Sequence, residues 1–367
     1  MRVAIIGGGA VGLFCAWRLA ERGAAVTLVE PRSLLPADPS AASWAAAGML
    51  GAVSEALSEP DAPARVRIGL SAIEAWRRAA TALAPARTLF DVGSIILADS
   101  LERLAAIEAL HALAQAHGAE TALLPRAELR ARGLAAGPQT TAGLLAPFEA
   151  LVDIPGALAA LTMKLADVGV AVREGRGADV ETAGGFPTLV LEGGARLNVD
   201  AVLACPGVGP HGRLAEAIPA LARLTPAKGQ MALISATVPF VVRAQGVYLA
   251  PRPEGLVLGS TMERGRDDRT VDPAAIAALR DAASRAAPTL ADAPLIKAWA
   301  GVRPMSPDGW PIVGSSGPPG CFAAAGHSRN GWLLAPLTAE IIADMIFKGA
   351  DAPPEFDPRR FAASTKD

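Results

Sequence analysis

The chain is poor in the features that would tie it to nucleic acid, a membrane or a metal. Aromatic residues make up 4% of it, and there is a single tyrosine, Tyr248. The 34 Lys and Arg are met by 36 Asp and Glu, for a formal net charge of -2. That balance gives no basic field to draw in nucleic acid or anionic lipid. The three cysteines, Cys15, Cys205 and Cys321, are odd in number and far apart. They lack the paired spacing of a zinc or iron-sulfur site, so no metal is expected and they read as small core residues of a reducing compartment. His111, His117 and His211 also lack metal-ligand spacing. No apolar run approaches the length of a membrane span, and the N-terminus enters a strand with no basic region or cleavage site before it. A cytoplasmic location is expected.

What is present is an ordinary globular composition, half hydrophobic and dominated by Ala, Leu and Val. Its 367 residues suffice for one large α/β unit or two domains with a sizeable core. "RVAII" at residues 2 to 6 is a continuous apolar strand that breaks at Gly7. Helical periodicity runs from Ala10 to Arg22 and stops at Gly23, and "AVTLVE" follows as a second strand. This is a βαβ unit at the start of the chain.

Between Pro31 and Pro63 the Ser, Ala, Pro and Gly content predicts a loop lying over something. Amphipathic helices are predicted around Ile68 to Leu83 and Leu101 to His117. Strand-like segments recur at "GSIILA", "GLLAP", "AVLAC", "GQMALIS", "GVYLAP" and "GLVLGST". The apolar stripe of "NGWLLAPLTAEIIADMIFKG" predicts a last helix ending at Gly349, followed by a frayed tail.

"IIGGGAVG" places Gly7, Gly9 and Gly12 in G-x-G-x-x-G spacing between the first strand and the first helix. Glycines there allow a tight turn and close approach of backbone to a pyrophosphate, whose charge sits at the helix N-terminus. Glu30, ending the second strand about 20 residues on, is suited to accept hydrogen bonds from a ribose. Its charge disfavours NADP, but the motif does not separate NAD from FAD.

"WAGVRPMSPDGWPIVG", residues 299 to 314, carries Arg303 in the middle of an apolar stretch. An arginine keeps its charge, so inside a protein it needs an anionic partner. On these residues alone that partner is an internal carboxylate such as Asp308, or a ligand.

Together with "SWAAAGML" (Ser43 to Leu50) and "AAGHSRNGWLLAP" (Ala324 to Pro336), this segment resembles the FAD-dependent glycine oxidase and D-amino acid oxidase superfamily, and most of all the bacterial glycine oxidases. The resemblance spans nearly the whole chain in the expected order. It implies an α/β fold: a Rossmann-type FAD-binding domain with an inserted α+β substrate domain built on a mostly antiparallel sheet. The FAD-binding segments would be residues 1–44, 64–87, 151–222 and 305–367. Those of the substrate domain would be 45–63, 88–150 and 223–304.

Position by position, the resemblance implies that Arg303 holds a substrate carboxylate and Tyr248 hydrogen-bonds it, with Arg329 at the mouth of the site. Met49 and Met262 would wall the substrate pocket. The loop carrying Ser43, Ala47, Gly48 and Met49 would pass the isoalloxazine ring. Gly207 and Gly301 would face the flavin, the backbone from Asn330 through Gly331 and Trp332 to Leu333 would line its pyrimidine edge, and the backbone of Val180 would meet the adenine. His327 would lie beside the flavin, more as a structural group than as an acid or base.

Gly301 stands where sarcosine oxidases have a flavin-linking cysteine, so FAD is expected to be non-covalent. Ser328 replaces an aromatic common in glycine oxidases, which implies a wider entrance. The implied reaction is oxidation of glycine, and of sarcosine or small D-amino acids, with oxygen as acceptor. A homo-tetramer and a supply of glycine imine to thiamine's thiazole ring also follow from the resemblance. A broader D-amino acid oxidase or dehydrogenase, and the flavin subunit of a heteromeric dehydrogenase, are the competing readings.

Overall fold

A computed structural model describes residues 1–35, 41–57, 59–209 and 211–362. The first strand, Arg2–Ile6, pairs in parallel with Ala25–Glu30 on one side and Ala201–Ala204 on the other. Its Val3, Ala4 and Ile5 are fully buried, as expected of a parallel strand covered on both faces. The sheet has six strands in the order Ile312–Ser315, Cys321–Ala325, Ala201–Ala204, Arg2–Ile6, Ala25–Glu30, Ala171–Glu174. Only the edge strand Ile312–Ser315 runs antiparallel to its neighbour.

One face of this sheet is covered by the helices Ala10–Glu21, Ile154–Asp167 and Gly331–Lys348, which together with Ala62–Ala82 build the largest core. At its centre Phe14 meets the fully buried Trp76 edge-on at 5.1 Å, and Trp76 packs on Trp332 at 5.9 Å. Such a pair contributes about 0.5–1.5 kcal/mol beyond area burial. Trp76 also donates its indole N–H to the Trp332 carbonyl, so its polar atom is satisfied where water is absent.

The second large sheet has nine strands and is antiparallel except where Val241–Ala244 lies along Ser94–Ala98. The long strands Thr225–Ile234 and Leu295–Met305 pair with each other in it, and the hairpin Val247–Arg252 with Gly255–Gly259 follows alongside. The α/β class and the mostly antiparallel second sheet agree with the expectation from sequence.

The loop predicted between Pro31 and Pro63 holds a short helix at Ala42–Ala45, a strand at Met49–Leu50 and a 3-10 turn at Ser54–Ala56; residues 36–40 and 58 fall outside the described residues. The following helix begins at Ala62, six residues before Ile68, with Pro63 in its first turn. Proline is favoured there because that N–H has no helical partner to lose. The last helix ends as predicted, with Gly349 left-handed at φ 66. The tail is docked rather than frayed as far as Phe361: Phe356 is fully buried against Trp310, and its carbonyl accepts from Val313 N–H at 2.8 Å. Residues 363–367 lie outside the described residues.

Candidate active site

A cavity of about 500 Å³ runs between the two large sheets. At one end it is lined by Gly9 and Gly12 of the strand-turn-helix; at the other by Arg303, Tyr248 and Arg329. The glycine turn is close-packed. A Cβ on Gly12 would lie 1.9 Å from the Gly7 carbonyl oxygen, and one on Gly7 would lie 2.2 Å from that of Cys205. Gly7 also takes φ 101, which side-chain-bearing residues rarely adopt. The Glu30 carboxylate, buried at the end of the second strand, accepts the Gly8 N–H at 2.6 Å and the Arg32 Nε at 2.7 Å. It thus fixes the far side of the turn.

The strip from Ser43 to Met49 forms one wall. It is rich in Ala and Gly, and outside donors hold its carbonyls: Trp332 Nε1 on Ser43 O at 2.8 Å, Trp299 Nε1 on Ala45 O at 3.0 Å, and Arg252 on Ala47 O. Ser43 in turn offers its hydroxyl oxygen to the Ala10 N–H at 2.9 Å, at the start of the first helix. Opposite, Gly301 leaves room for the strip, since a Cβ there would lie 2.6 Å from that of Ala45.

Arg303 makes no ion pair with any described carboxylate. Asp308 is taken by Arg360, at 2.7 and 3.1 Å. The Arg303 guanidinium donates to Ser260 Oγ at 2.5 Å and to the Thr261 carbonyl at 3.3 Å. It lies across Gly229, and Tyr248 lies across Gly259 in the same way, because a Cβ on Gly259 would sit 2.2 Å from the phenol oxygen. Burial lowers the Arg303 pKa and raises that of Tyr248, each being held from water beside the other. Two donors therefore converge with no protein anion between them, an arrangement suited to a carboxylate.

Arg329 lines the same cavity but is committed to Glu55 and, at 2.6 Å, to Glu59. Glu55 is also gripped by Arg243 at 2.5 Å. Burial pushes the Glu55 pKa up, but the charges and hydrogen bonds of Arg243 and Arg329 outweigh that and bring it down from 4.5 to about 2. The turn carrying Glu55 is itself pinned by the buried Glu149, which accepts Val53 N–H at 2.7 Å, Ser54 N–H at 2.9 Å and the Ser54 hydroxyl at 2.7 Å.

Of the other residues singled out from sequence, Met49, Met262, Ser43, Ala47, Gly48, Gly207, Gly301, His327, Gly331 and Trp332 all line this cavity. Gly7, Glu30, Val180, Asn330 and Leu333 are not part of its lining; Val180 and Leu333 are buried in core clusters. His327 donates to or accepts from Thr338 Oγ1 at 3.0 Å, and burial lowers its pKa from 6.5 to about 3. It is a neutral structural group near neutral pH. Sequence reading missed Ser260, Glu55, Arg243 and Arg103, all in the lining. Among the described residues no cluster of side chains is arranged to hold a metal, and no helix is long and apolar enough to cross a membrane.

A glycine turn and a partly buried arginine without a protein anion open on the same cavity, an arrangement that suits a nucleotide-dependent enzyme. The family model described as FAD dependent oxidoreductase matches residues 2–345, and the chain belongs to that family. It is 30% identical over 355 residues to glycine oxidase of Geobacillus kaustophilus, covering 94% of this chain and 92% of that one. It is also 30% identical over 362 residues to the bifunctional protein ThiO/ThiG of Trichormus variabilis, covering 96% of this chain and 53% of that one. The crystal structure of the Geobacillus kaustophilus glycine oxidase superposes with a TM-score of 0.85 at 28% identity, over 100% of this chain and 99% of that one. L-proline dehydrogenase from P. horikoshii shares the fold, with a TM-score of 0.85 at 20% identity and coverage of 98% and 97%.

The residues present fit FAD. Glycines stand where side chains would collide, an acid closes the second strand, and the cavity is continuous from the first helix to Arg303. The chain is an FAD-dependent oxidoreductase that oxidises amines or amino acids.

Proposed function

We propose that the enzyme oxidises glycine, and with it sarcosine and D-alanine, to the oxo acid, ammonia (methylamine from sarcosine) and hydrogen peroxide, and D-proline, whose nitrogen stays in the ring, to the cyclic imine and hydrogen peroxide. The observation that carries this reading is the pairing of Arg303 and Tyr248, two partly buried donors with no protein anion between them. A bidentate guanidinium would pin the α-carboxylate and the phenol would donate the second contact, which fixes the orientation of the α-carbon. Met49 and Met262 bound the space left for the side chain. The neutral His327, tied to Thr338, is not needed as a base. When bound, FAD supplies the redox chemistry by accepting the hydride equivalent. In this reading FAD is non-covalent, for Gly301 offers no thiol. The chain is divided into FAD-binding and substrate segments as the resemblance implies, and the glycine imine can serve thiamine's thiazole.

The test is anaerobic titration of the flavin spectrum with glycine, sarcosine, D-alanine, D-proline and L-alanine, then air with peroxide detection. Bleaching by glycine and rapid peroxide formation are the expected result. Bleaching by larger D-amino acids alone would move the assignment to a broader D-amino acid oxidase, and bleaching without peroxide to a dehydrogenase.

A further inference from the structure

We propose that the preferred substrates carry a second carboxylate, on the side chain or on the nitrogen substituent, and that Arg103 receives it. This rests on the amine-oxidising reading above and names the substrate class for the same cavity. Four arginines line that cavity: Arg103, Arg243, Arg303 and Arg329. Arg243 and Arg329 share Glu55, and Arg329 also has Glu59. The other two, Arg303 and Arg103, make no ion pair with a described carboxylate. Arg103 donates its Nε to Leu97 O at 2.6 Å and Nη2 to Arg243 O at 3.5 Å, both neutral backbone acceptors. Asp99 acts on it electrostatically without pairing, and does not line the cavity.

The argument that gives Arg303 a ligand carboxylate therefore extends to Arg103, a half-buried cation on the cavity wall bonded only to backbone carbonyls. Arg103 stands on the helix Leu101–Ala116 and Arg303 on the strand Leu295–Met305, and both line the cavity. Arg243, whose carbonyl Arg103 holds, is the direct cross-strand partner of Tyr248, and Tyr248 lies beside Arg303. A glycine would satisfy only the Arg303 end. An iminodiacetate or an acidic D-amino acid has an anion for each end. For iminodiacetate the reaction balances as one substrate, one oxygen and one water giving glycine, glyoxylate and hydrogen peroxide, with one C–N bond broken.

The experiment compares, in the flavin-loaded full chain, kcat/KM for iminodiacetate against sarcosine, and for D-aspartate and D-glutamate against D-alanine. It is then repeated in Arg103→Gln and Arg103→Lys, each checked for flavin content. The wild type is expected to favour the dicarboxylic member of at least one pair, and Arg103→Gln to lower that ratio at least about tenfold, the size of effect seen when a buried charge loses its partner. Arg103→Lys should recover part of it. A ratio below one in every pair of the wild type, or one that Arg103→Gln leaves unchanged, overturns the proposal while sarcosine turnover keeps the amine-oxidising reading intact. Failure of every amine, with one carboxylate or two, to bleach the flavin overturns both.

Discussion

The guanidinium of Arg303 lies on Gly229: a Cβ at Gly229 would sit 2.1 Å from Nη1 and 2.5 Å from the central carbon. The strand opposite is paired so that Gly229 faces Gly301 and Ala227 faces Arg303, so the arginine side chain folds back over its neighbour's backbone. Gly229→Ala should therefore displace the guanidinium while every hydrogen-bonding side chain of the cavity keeps its identity. We expect kcat/KM for the best amine to fall roughly 10²-fold, as for an ångström-scale misplacement, with flavin content unchanged. Wild-type kinetics in that variant would show that the pose of Arg303 is unimportant.

Removing the cation itself tests the carboxylate assignment. Arg303→Ala should stay yellow and lose most in apparent substrate affinity, by roughly 10²-fold or more, since truncating one side of a buried charge pair costs about 2–5 kcal/mol. Stopped-flow reduction at graded substrate gives the affinity separately from the limiting rate. An unaltered apparent Kd refutes the assignment.

Glu55 should give the protein a stability that depends on acid. Its pKa falls from 4.5 to about 2 on folding, because Arg243 and Arg329 overcome the opposing effect of burial. A depressed carboxylate stabilises fully above its unfolded value and loses that contribution as pH drops through the folded one. The window is thus about pH 4.5 to 2, and the amount is on the order of 3 kcal/mol. Urea midpoints of wild type and Glu55→Gln should differ at pH 7 and converge toward pH 2.5. A gap independent of pH would mean that Glu55 is not the titrating group.

At the other end of the cavity, a Cβ on Gly9 would lie 3.3 Å from Ser43 Oγ, the atom that caps the Ala10 N–H. Gly9→Val should purify colourless or lose flavin on gel filtration, measured as the ratio of absorbance at flavin and protein wavelengths. Full flavin occupancy would count against the glycine turn as the pyrophosphate site.

The parts of this molecule legible in its sequence are those written in consecutive residues. The apolar run, glycine turn and helix from Arg2 to Glu21 have one period each and reappear almost to the residue. The stripe ending at Gly349 does so too. Arg303 could be singled out because a charge in an apolar strand is conspicuous. Gly229 and Ser260 could not, since what matters about them is the pairing of strands remote in sequence. Glu55 lies in a stretch without periodicity, where an acid reads as solvated until Arg243 and Arg329 arrive from elsewhere. Arg103, in the first turn of an amphipathic helix, reads as surface for the same reason. The early start of the helix at Ala62 was hidden by Pro63, which marks a loop as readily as a first turn.

The strip along the cavity wall is held by two indoles, those of Trp299 and Trp332, each through its N–H. Tryptophan emission overlaps flavin absorption, and Trp332 itself forms part of the cavity wall. The chain thereby carries its own optical probe: loading of the cofactor should quench these indoles by energy transfer, and any slackening of the strip should shift their emission before the rest of the protein changes.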